Sequence, residues 1–357
     1  MSLSGTSTGA LLPYTAQDML EEATSRAGIP PEGITGEHVY QFLRQLNLVF
    51  TSLVNQGVQL WKRQYAILPC YLGIDQIPTP PGTNDVVTLN RRSLFRQLGT
   101  SSFSDSGGVP GNAFDDNFAT VCLQTSPNGS VGQGFPTATI VTNVGVLSGT
   151  TGEFALFFEY SNDGVTYTPV DAIDVQWNEV GQWTWFDLLG SPVAGALFWR
   201  VRSVGAVPFG ATEIFFGNTP QEINLGRWNL ENFSQMPNKA QGGQVVNWYV
   251  NRDLSGPTLY VWPTPDTTAK YDTLTCWVNQ NLDPVSQITQ ALDLPARWYD
   301  AITARMARRI CRTFKEADLK RYQTLQQEEM EAIALAVAEE RDNSPTEYDL
   351  GLQNYTA

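Results

Sequence analysis

The spacing of apolar positions changes along the chain, and each change marks a new kind of element. In TAQDMLEEATSRAG, residues 15–28, Met19, Leu20, Ala23 and Ala27 recur at helical spacing. Thr15 suits an N-cap and Gly28 suits the stop just past the last turn. The following IPPEG cannot continue a helix, because proline lacks an amide donor and crowds the preceding turn. A second start is expected at Thr35, and EHVYQFLRQLNLVFTSLVNQGVQLW then reads as one long helix. Its Val39, Phe42, Leu43, Leu46, Phe50, Leu53 and Val54 make an apolar stripe. The short link predicts an antiparallel helix pair.

Residues 64–98 switch to short β-branched runs, QYAILPCYLGIDQIP and NDVVTLNRRSLF, punctuated by Pro and Gly. TSSFSDSGGVPGN reads as a Ser/Gly linker. From Ala113 to Asn218 the pattern is all-β, with FALFFEYSNDGVTYTPV, WTWFDLL, ALFWRVRSV and EIFFGN as short, evenly spaced strands between polar turns. That is the pattern of a sandwich. Beyond it, VVNWYVNRDLSGPTLYVWPTP predicts a hairpin turning at Leu254-Ser255-Gly256-Pro257, and YDTLTCWVNQ predicts a further strand. A helix is expected from Leu294-Pro295, where proline is tolerated in the first turn. Trp298, Ile302, Met306 and Ile310 recur along it every four residues. The last helix, EADLKRYQTLQQEEMEAIALAVAEERD, is polar and Ala-rich, and after Asn343-Ser344-Pro345 the tail TEYDLGLQNYTA reads as extended. No internal repeat is found.

Of the 357 residues, 42% are hydrophobic, enough for a sizeable core and too many for a disordered chain. No apolar run approaches the ~20 residues of a membrane-spanning helix. MSLSGTSTGALLPY lacks the basic start and apolar middle of a signal peptide, so a protein kept in a cytoplasm until assembly or export is expected. Cys70, Cys122, Cys276 and Cys311 lie far apart without a C-x-x-C pair, which predicts reduced, buried thiols rather than a zinc site or a disulfide framework. The sole histidine, His38, falls in the first turn of the second helix and reads as a surface or capping residue. A single histidine so placed argues against a catalytic triad and against a His-rich metal site.

The net charge of −14 is unevenly spread. Residues 1–99 balance at 7 basic and 7 acidic side chains, residues 100–218 hold 2 and 11, and residues 219–357 hold 13 and 18. A grip on nucleic acid needs clustered Lys and Arg, which the chain does not offer overall. The acidic middle third looks foreign to its flanks and reads as an insertion. Gly-rich NGSVGQG, residues 128–134, lacks the Lys and the preceding strand of a phosphate loop, and G-x-S-x-G is absent. No enzyme and no cofactor is therefore expected. A carboxylate pair in a cleft is invisible to sequence, so a cell-wall hydrolase stands as a minor alternative.

The flanks, joined without the middle, resemble the tail-adaptor (head-to-tail connector, tail accessory) proteins of short-tailed phages. The likeness spans residues 14–98 and 219–345, about three fifths of the chain. It rests on LNLVFTSLVNQGVQLW (46–61), ENFSQMPNKAQGGQ (231–244), YVNRDLSGPTLYVWPTP and LDLPARWYDAITARMARRI (292–310), in this order and spacing. The long interruption after RRSLFRQLG departs from the pattern of the simple members. The resemblance implies a homo-dodecameric ring beneath the portal protein. That ring extends the DNA channel toward the tail tube or nozzle protein, without specific DNA binding and without a membrane. An acidic surplus suits such a conduit by repelling phosphates, over ~8 Å at physiological salt. Trp248, Tyr249, Tyr260 and Trp262 are candidate ring-interface aromatics, against the plainer reading that they seal the hairpin onto its own core. The resemblance also carries a portal-embracing role onto residues 344–357, where Tyr348, Leu350, Leu352 and Tyr355 alternate as an added strand or clamp would require, unless the terminus is merely frayed.

Residues 113–217 resemble a discoidin-like (coagulation factor 5/8 type C), galactose-binding-like sandwich. AFDDNFAT (113–120), FFEYSNDGVTYTPV (157–170) and FWRVRSVGAVPFGATEIFFG (198–217) carry that likeness. Asp115, Asp116 and Asn117 suit a tight turn, with calcium ligation by the two aspartates as the alternative. Asn162-Asp163-Gly164 suits a hairpin turn with positive φ. The likeness implies loops that bind a sugar or a neighbouring protein, as a dock for tail fibres or spikes, or as a carbohydrate-binding virion module that touches host glycans. The expected fold class is α+β multidomain: a helical-bundle adaptor domain with small β-hairpin elements, residues 1–99 and 219–343, interrupted by an all-β jelly-roll sandwich, residues 100–218, and followed by an extended tail, residues 344–357.

Overall fold

The computed structural model describes residues 14–55, 62–191, 194–253 and 256–340. Among them are five α-helices: α1 (Ala16–Arg26), α2 (Gly36–Asn55), α3 (Leu230–Ser234), α4 (Tyr299–Thr313) and α5 (Tyr322–Glu340). The chain divides into two compact units, Met1–Arg63 with Asn279–Ala357, and Gln64–Val278.

The first unit is helical and is built around α4. Its Ile302, Met306 and Ile310, with Trp298 just ahead of the helix, are buried, and α1, α2 and α5 all pack against it. From α2 come the buried Phe42, Leu46, Val49, Phe50 and Leu53, and from α1 come Met19, Leu20 and Ala23. The expected pairing of α1 with α2 is therefore secondary, since α1 leans chiefly on α4. The caps follow the sequence. The Thr15 hydroxyl accepts the Asp18 amide at 3.2 Å, the Asp18 carboxylate accepts the Thr15 amide at 2.8 Å, and Gly28 takes φ +81° where α1 stops. Pro295 is followed by one 3₁₀ turn, Ala296–Trp298, and only then by α4. Asn47 on α2 grips residue 285 twice, donating to the Val285 carbonyl at 3.0 Å and accepting its amide at 2.9 Å. His38 caps as expected: its Nδ1 accepts the Thr35 amide at 3.2 Å, its Nε2 faces Glu316 at 3.2 Å, and its ring stacks on Phe314. The end of the long second helix predicted through Trp61 lies outside the described residues.

The second unit is β-structured. It opens with β1 (Arg63–Pro69), β2 (Gln76–Pro78), β3 (Thr83–Gln97) and β4 (Ser101–Ser104). Then come β5 (Cys122–Leu123), β6 (Ser130–Thr139), β7 (Asn143–Ser148), β8 (Gly152–Ser161) and β9 (Thr168–Trp177). β10 (Trp183–Asp187), β11 (Ala196–Gly205), β12 (Gly210–Asn224), β13 (Gly226–Arg227) and β14 (Gly242–Gly243) follow. The unit closes with β15 (Asn247–Asp253), β16 (Gly256–Trp262), β17 (Thr264–Pro265) and β18 (Thr273–Gln280). One sheet runs β4-β6-β11-β8-β9 and another runs β1-β18-β3-β12-β7-β10, with β5 beside β12. The antiparallel sandwich expected in the middle of the chain is present. Val131, Phe158, Trp199 and Val201 from the first sheet share a core with Val146, Ile214 and Phe216 from the second. Alternation along β12 sends Phe215 to the opposite face, onto Trp183 and Tyr271.

Several expectations are corrected here. The stretch read as a linker contains β4, which pairs with β6 through Ser102↔Gln133 and Phe103↔Gly132. An edge strand needs only backbone partners, so its Ser-rich composition hid it. The limits expected at 99/100 and 218/219 do not separate the units: β12 runs through Asn218, and it pairs with β3 from Asn90 to Gln97. The divide lies instead at Arg63/Gln64 and Val278/Asn279. The hairpin β15–β16 accordingly belongs with the β unit, in the sheet β13-β15-β16-β2, and not with the helices. The four cysteines are free and buried, and burial pushes the thiols of Cys70 and Cys276 up to about 12.

Because Met306 is fully buried at the centre of α4, Met306→Ala is expected to destabilise the protein by about 2–5 kcal/mol in urea titration. Met330→Ala, at an exposed position of α5, should change it by less than about 0.5 kcal/mol. Equal effects would show that α4 does not organise the helical core.

Candidate functional site

Strict alternation in the hairpin splits the four predicted aromatics between two faces. Residues Trp248, Val250, Leu259 and Val261 point into the core shared with β1, β3 and β18. Trp248 is a core residue, its indole donating to the Leu225 carbonyl at 3.2 Å, which corrects its candidacy as an interface anchor. Tyr249, Tyr260 and Trp262 stand on the other face and are half-buried. Tyr249 and Tyr260 are directly opposed across the strands, their rings 6.1 Å apart.

Two residues that sequence reasoning did not single out complete this face. Phe233 on α3 stacks on Tyr249 at 5.4 Å and meets Tyr260 edge-on at 5.4 Å, with the Lys239 ammonium 5.1 Å above its ring. Trp228 lies 5.5 Å from Trp262, whose indole donates to the Asn238 carbonyl at 3.1 Å. The Asn229 side chain, accepting the Asn232 amide at 2.8 Å, starts α3 and so places Phe233. The signal was in the sequence: WNLENF puts two aromatics around a capping Asn, but nothing local says that they return to the hairpin. The result is a half-covered aromatic surface whose ring bodies are apolar and whose hydroxyl tips are polar. It can bury area against another molecule without being insoluble alone.

A second constellation lies at the turn 115–117. Asp115 accepts the Asn117 amide at 3.0 Å and the Thr120 hydroxyl at 2.8 Å, and Asp116 adopts φ 64°. This is turn chemistry. Asp116 Oδ1 also takes Arg96 at 3.2 Å, Lys270 at 2.9 Å and the Tyr271 hydroxyl. Three donors on one oxygen leave the alternative of calcium ligation little free charge there. Beneath it the fully buried Glu213 pairs with Arg96 and accepts the Asp116 amide at 3.1 Å. Burial pushes Glu213 up to about 7 against the pull of Arg96. For Asp116 burial acts to raise the pKa, but the hydrogen bonds of Tyr271 and Lys270, with the charges of Lys270 and Arg96, outweigh it and hold it low. Arg96 is on β3 and Glu213 on β12, so the network locks the flank strand to the sandwich strand. At the other predicted turn, Gly164 has φ +73°, and the Asp163 carboxylate accepts the amides of Val165 and Thr166. That loop connects β8 to β9 over six residues, longer than a tight hairpin. The tail residues Tyr348, Leu350, Leu352 and Tyr355 lie outside the described residues.

No family model matches the chain. No curated protein matches it either. Solved structures similar to about a third of it include the CBM32 of AlyQ in complex with 4,5-unsaturated mannuronic acid, at 14% identity, covering 35% of this chain and 99% of that one with TM-score 0.32. A second is a CBM32 from Clostridium perfringens in complex with GalNAc-beta-1,3-galactose, at 14% identity, 33% and 94% coverage and TM-score 0.28. A third is an F5/8 type C domain from Bacteroides fragilis, at 8% identity, 34% and 95% coverage and TM-score 0.29. TM-scores this low assign no ligand to this chain.

Glu213 holds its proton more tightly folded than unfolded. Its contribution to stability is full below pH 4.5 and is lost as pH rises through about 7. Between about pH 5 and pH 8, wild type should therefore lose stability relative to Glu213→Gln, by at most ~3 kcal/mol in denaturant titrations. Parallel pH profiles would show that the buried carboxyl keeps its ordinary affinity for protons.

Proposed function

We propose that this chain is a structural protein of a short-tailed phage virion, an adaptor that joins head to tail and catalyses no reaction. The observation that carries this reading is the single helical core built from both ends of the chain, with α1 and α2 closing on α4 and α5. Two of the four stretches that resemble the tail adaptors, residues 46–61 and 292–310, belong to this unit. In this reading twelve copies form a ring under the portal protein at the head-tail junction, after synthesis in the host cytoplasm. The ring lengthens the DNA channel and receives the tail tube or nozzle protein. The half-covered face of Tyr249, Tyr260, Trp262 and Phe233 meets the neighbouring subunit, and residues 344–357 clasp the portal. The sandwich, the more acidic part of the chain, docks a tail fibre or spike.

Purified protein mixed with its portal should give a stoichiometric ring, visible in negative stain and by sedimentation. Removing residues 344–357 should abolish portal binding while leaving the melting temperature unchanged. Tyr260→Ser with Trp262→Ser should weaken ring assembly at least about tenfold, as loss of aromatic anchors does at interfaces. A chain that stays monomeric beside its portal and instead retains glycans on an array, or degrades peptidoglycan, would overturn the adaptor reading in favour of a binding module or a hydrolase.

A further inference from the structure

The densest positive charge in this acidic chain sits on α4, where Arg305, Arg308, Arg309 and Arg312 occupy less than three turns. Most arginines among the described residues are neutralised, for example Arg26 by Glu22 and Asp300, Arg92 by Asp187 and Glu222, and Arg200 and Arg202 by Glu159. On α4 a single buried carboxylate, Glu329 of α5, serves both Arg305 and Arg308. Among the described residues no carboxylate pairs with Arg309 or Arg312. Arg309 is held instead by a neutral partner, donating to Gln45 Oε1 of α2 at 2.9 Å. Burial, and then the charges of Arg305 and Arg308, lower the Arg309 pKa, and the carboxylate of Glu329 offsets them only in part.

These side chains border an open cleft. A cavity of about 390 Å³ opens between α2 and α4, lined by Gln45, Arg308, Arg309, Arg312 and Thr313. Its walls present guanidinium donors, an amide and a hydroxyl. Guanidinium forks match the spacing of oxyanion lone pairs and bind phosphate in bidentate fashion. The positions are fixed by the helical core: Ile310 and Cys311, between the arginines, are buried, and Arg308 is anchored to Glu329 and lies 3.4 Å from the Tyr322 hydroxyl. Arg308 and Arg309 are thus held before a ligand arrives, which reduces the ordering that binding costs.

We propose that this cavity is a phosphate-binding site, with Arg309 and Arg312 as the principal ligands and Arg308, Gln45 and Thr313 completing it. The phosphate is that of a duplex DNA backbone or of a free phosphate. Backbone contact of this type carries no sequence preference. The site does not depend on the ring reading, since it is complete within one chain.

The test uses the full chain with three probes: a fluorescent duplex of about two helical turns, inorganic phosphate, and a poly-glutamate peptide. Duplex binding by anisotropy at low salt should weaken at least about tenfold in Arg309→Gln with Arg312→Gln, and the salt dependence of log K should flatten by about 2 for the two lost contacts. Arg252→Gln, exposed in the β unit and paired with Asp85, should leave binding unchanged. Should the double variant lose its fold by circular dichroism, Arg312→Gln alone gives the same reading, because Arg312 is exposed. Phosphate bound without the duplex, and lost in the variant, upholds the site and assigns it to a free phosphate. Binding of neither phosphate nor duplex, equal binding by wild type and variant, or capture of poly-glutamate alone would overturn it.

Discussion

One requirement governs the helical unit: the apolar stripe of α4 must be covered, and the helices that cover it come from opposite ends of the chain. α5 follows α4 directly, but α1 and α2 are separated from it by the whole β unit. Bringing them together costs loop-closure entropy, which grows only with the logarithm of length, ~0.6 kcal/mol per doubling. Against that stand Trp298, Ile302, Met306 and Ile310, all buried, at ~1.5–3 kcal/mol each. Burial wins, and the intervening chain is free to carry a body of its own. The Asn47 clamp on Val285 adds direction to an attraction that otherwise has none.

The β unit depends on a different kind of contact. The two sheets of its sandwich share an ordinary apolar core, but the strand contributed by the flank, β3, meets sandwich strand β12 through charge as well as backbone. Arg92 reaches Asp187 and Glu222, and Arg96 reaches Glu213 and Asp116. A buried carboxylate or guanidinium without such a partner would be costly. Each therefore constrains where the other can lie. That mutual constraint explains why the sandwich strands and the strands outside them make one continuous sheet.

The sequence was most readable where a period repeats several times. The helix stripe of α2, the four-residue repeat at Trp298–Ile310 and the alternation in β8 and β11 all led to the correct element. Reading failed where partners are distant. The Ser-rich β4 has no apolar signal because its contribution is a row of amides at a sheet edge. Trp248 and Tyr249 both alternate correctly, yet which face becomes interior depends on β1, β3 and β18, far away in sequence. Nothing around Glu213 in ATEIFFG says that its carboxyl is buried. The run ARMARRICR displays its arginines openly, but only the fold reveals that Glu329 satisfies two of them and that Gln45 faces a third.

In the seven-stranded sheet β1 and β18, the first and last strands of the β unit, are immediate neighbours. The polypeptide thus comes into this body and departs from it through adjoining doorways. Such a layout makes the whole body exchangeable: genetic recombination at these two seams could substitute a different module, large or small, while the helices on either side keep their register. A chain laid out in this way can change the inserted body without rebuilding the core that its two outer parts share.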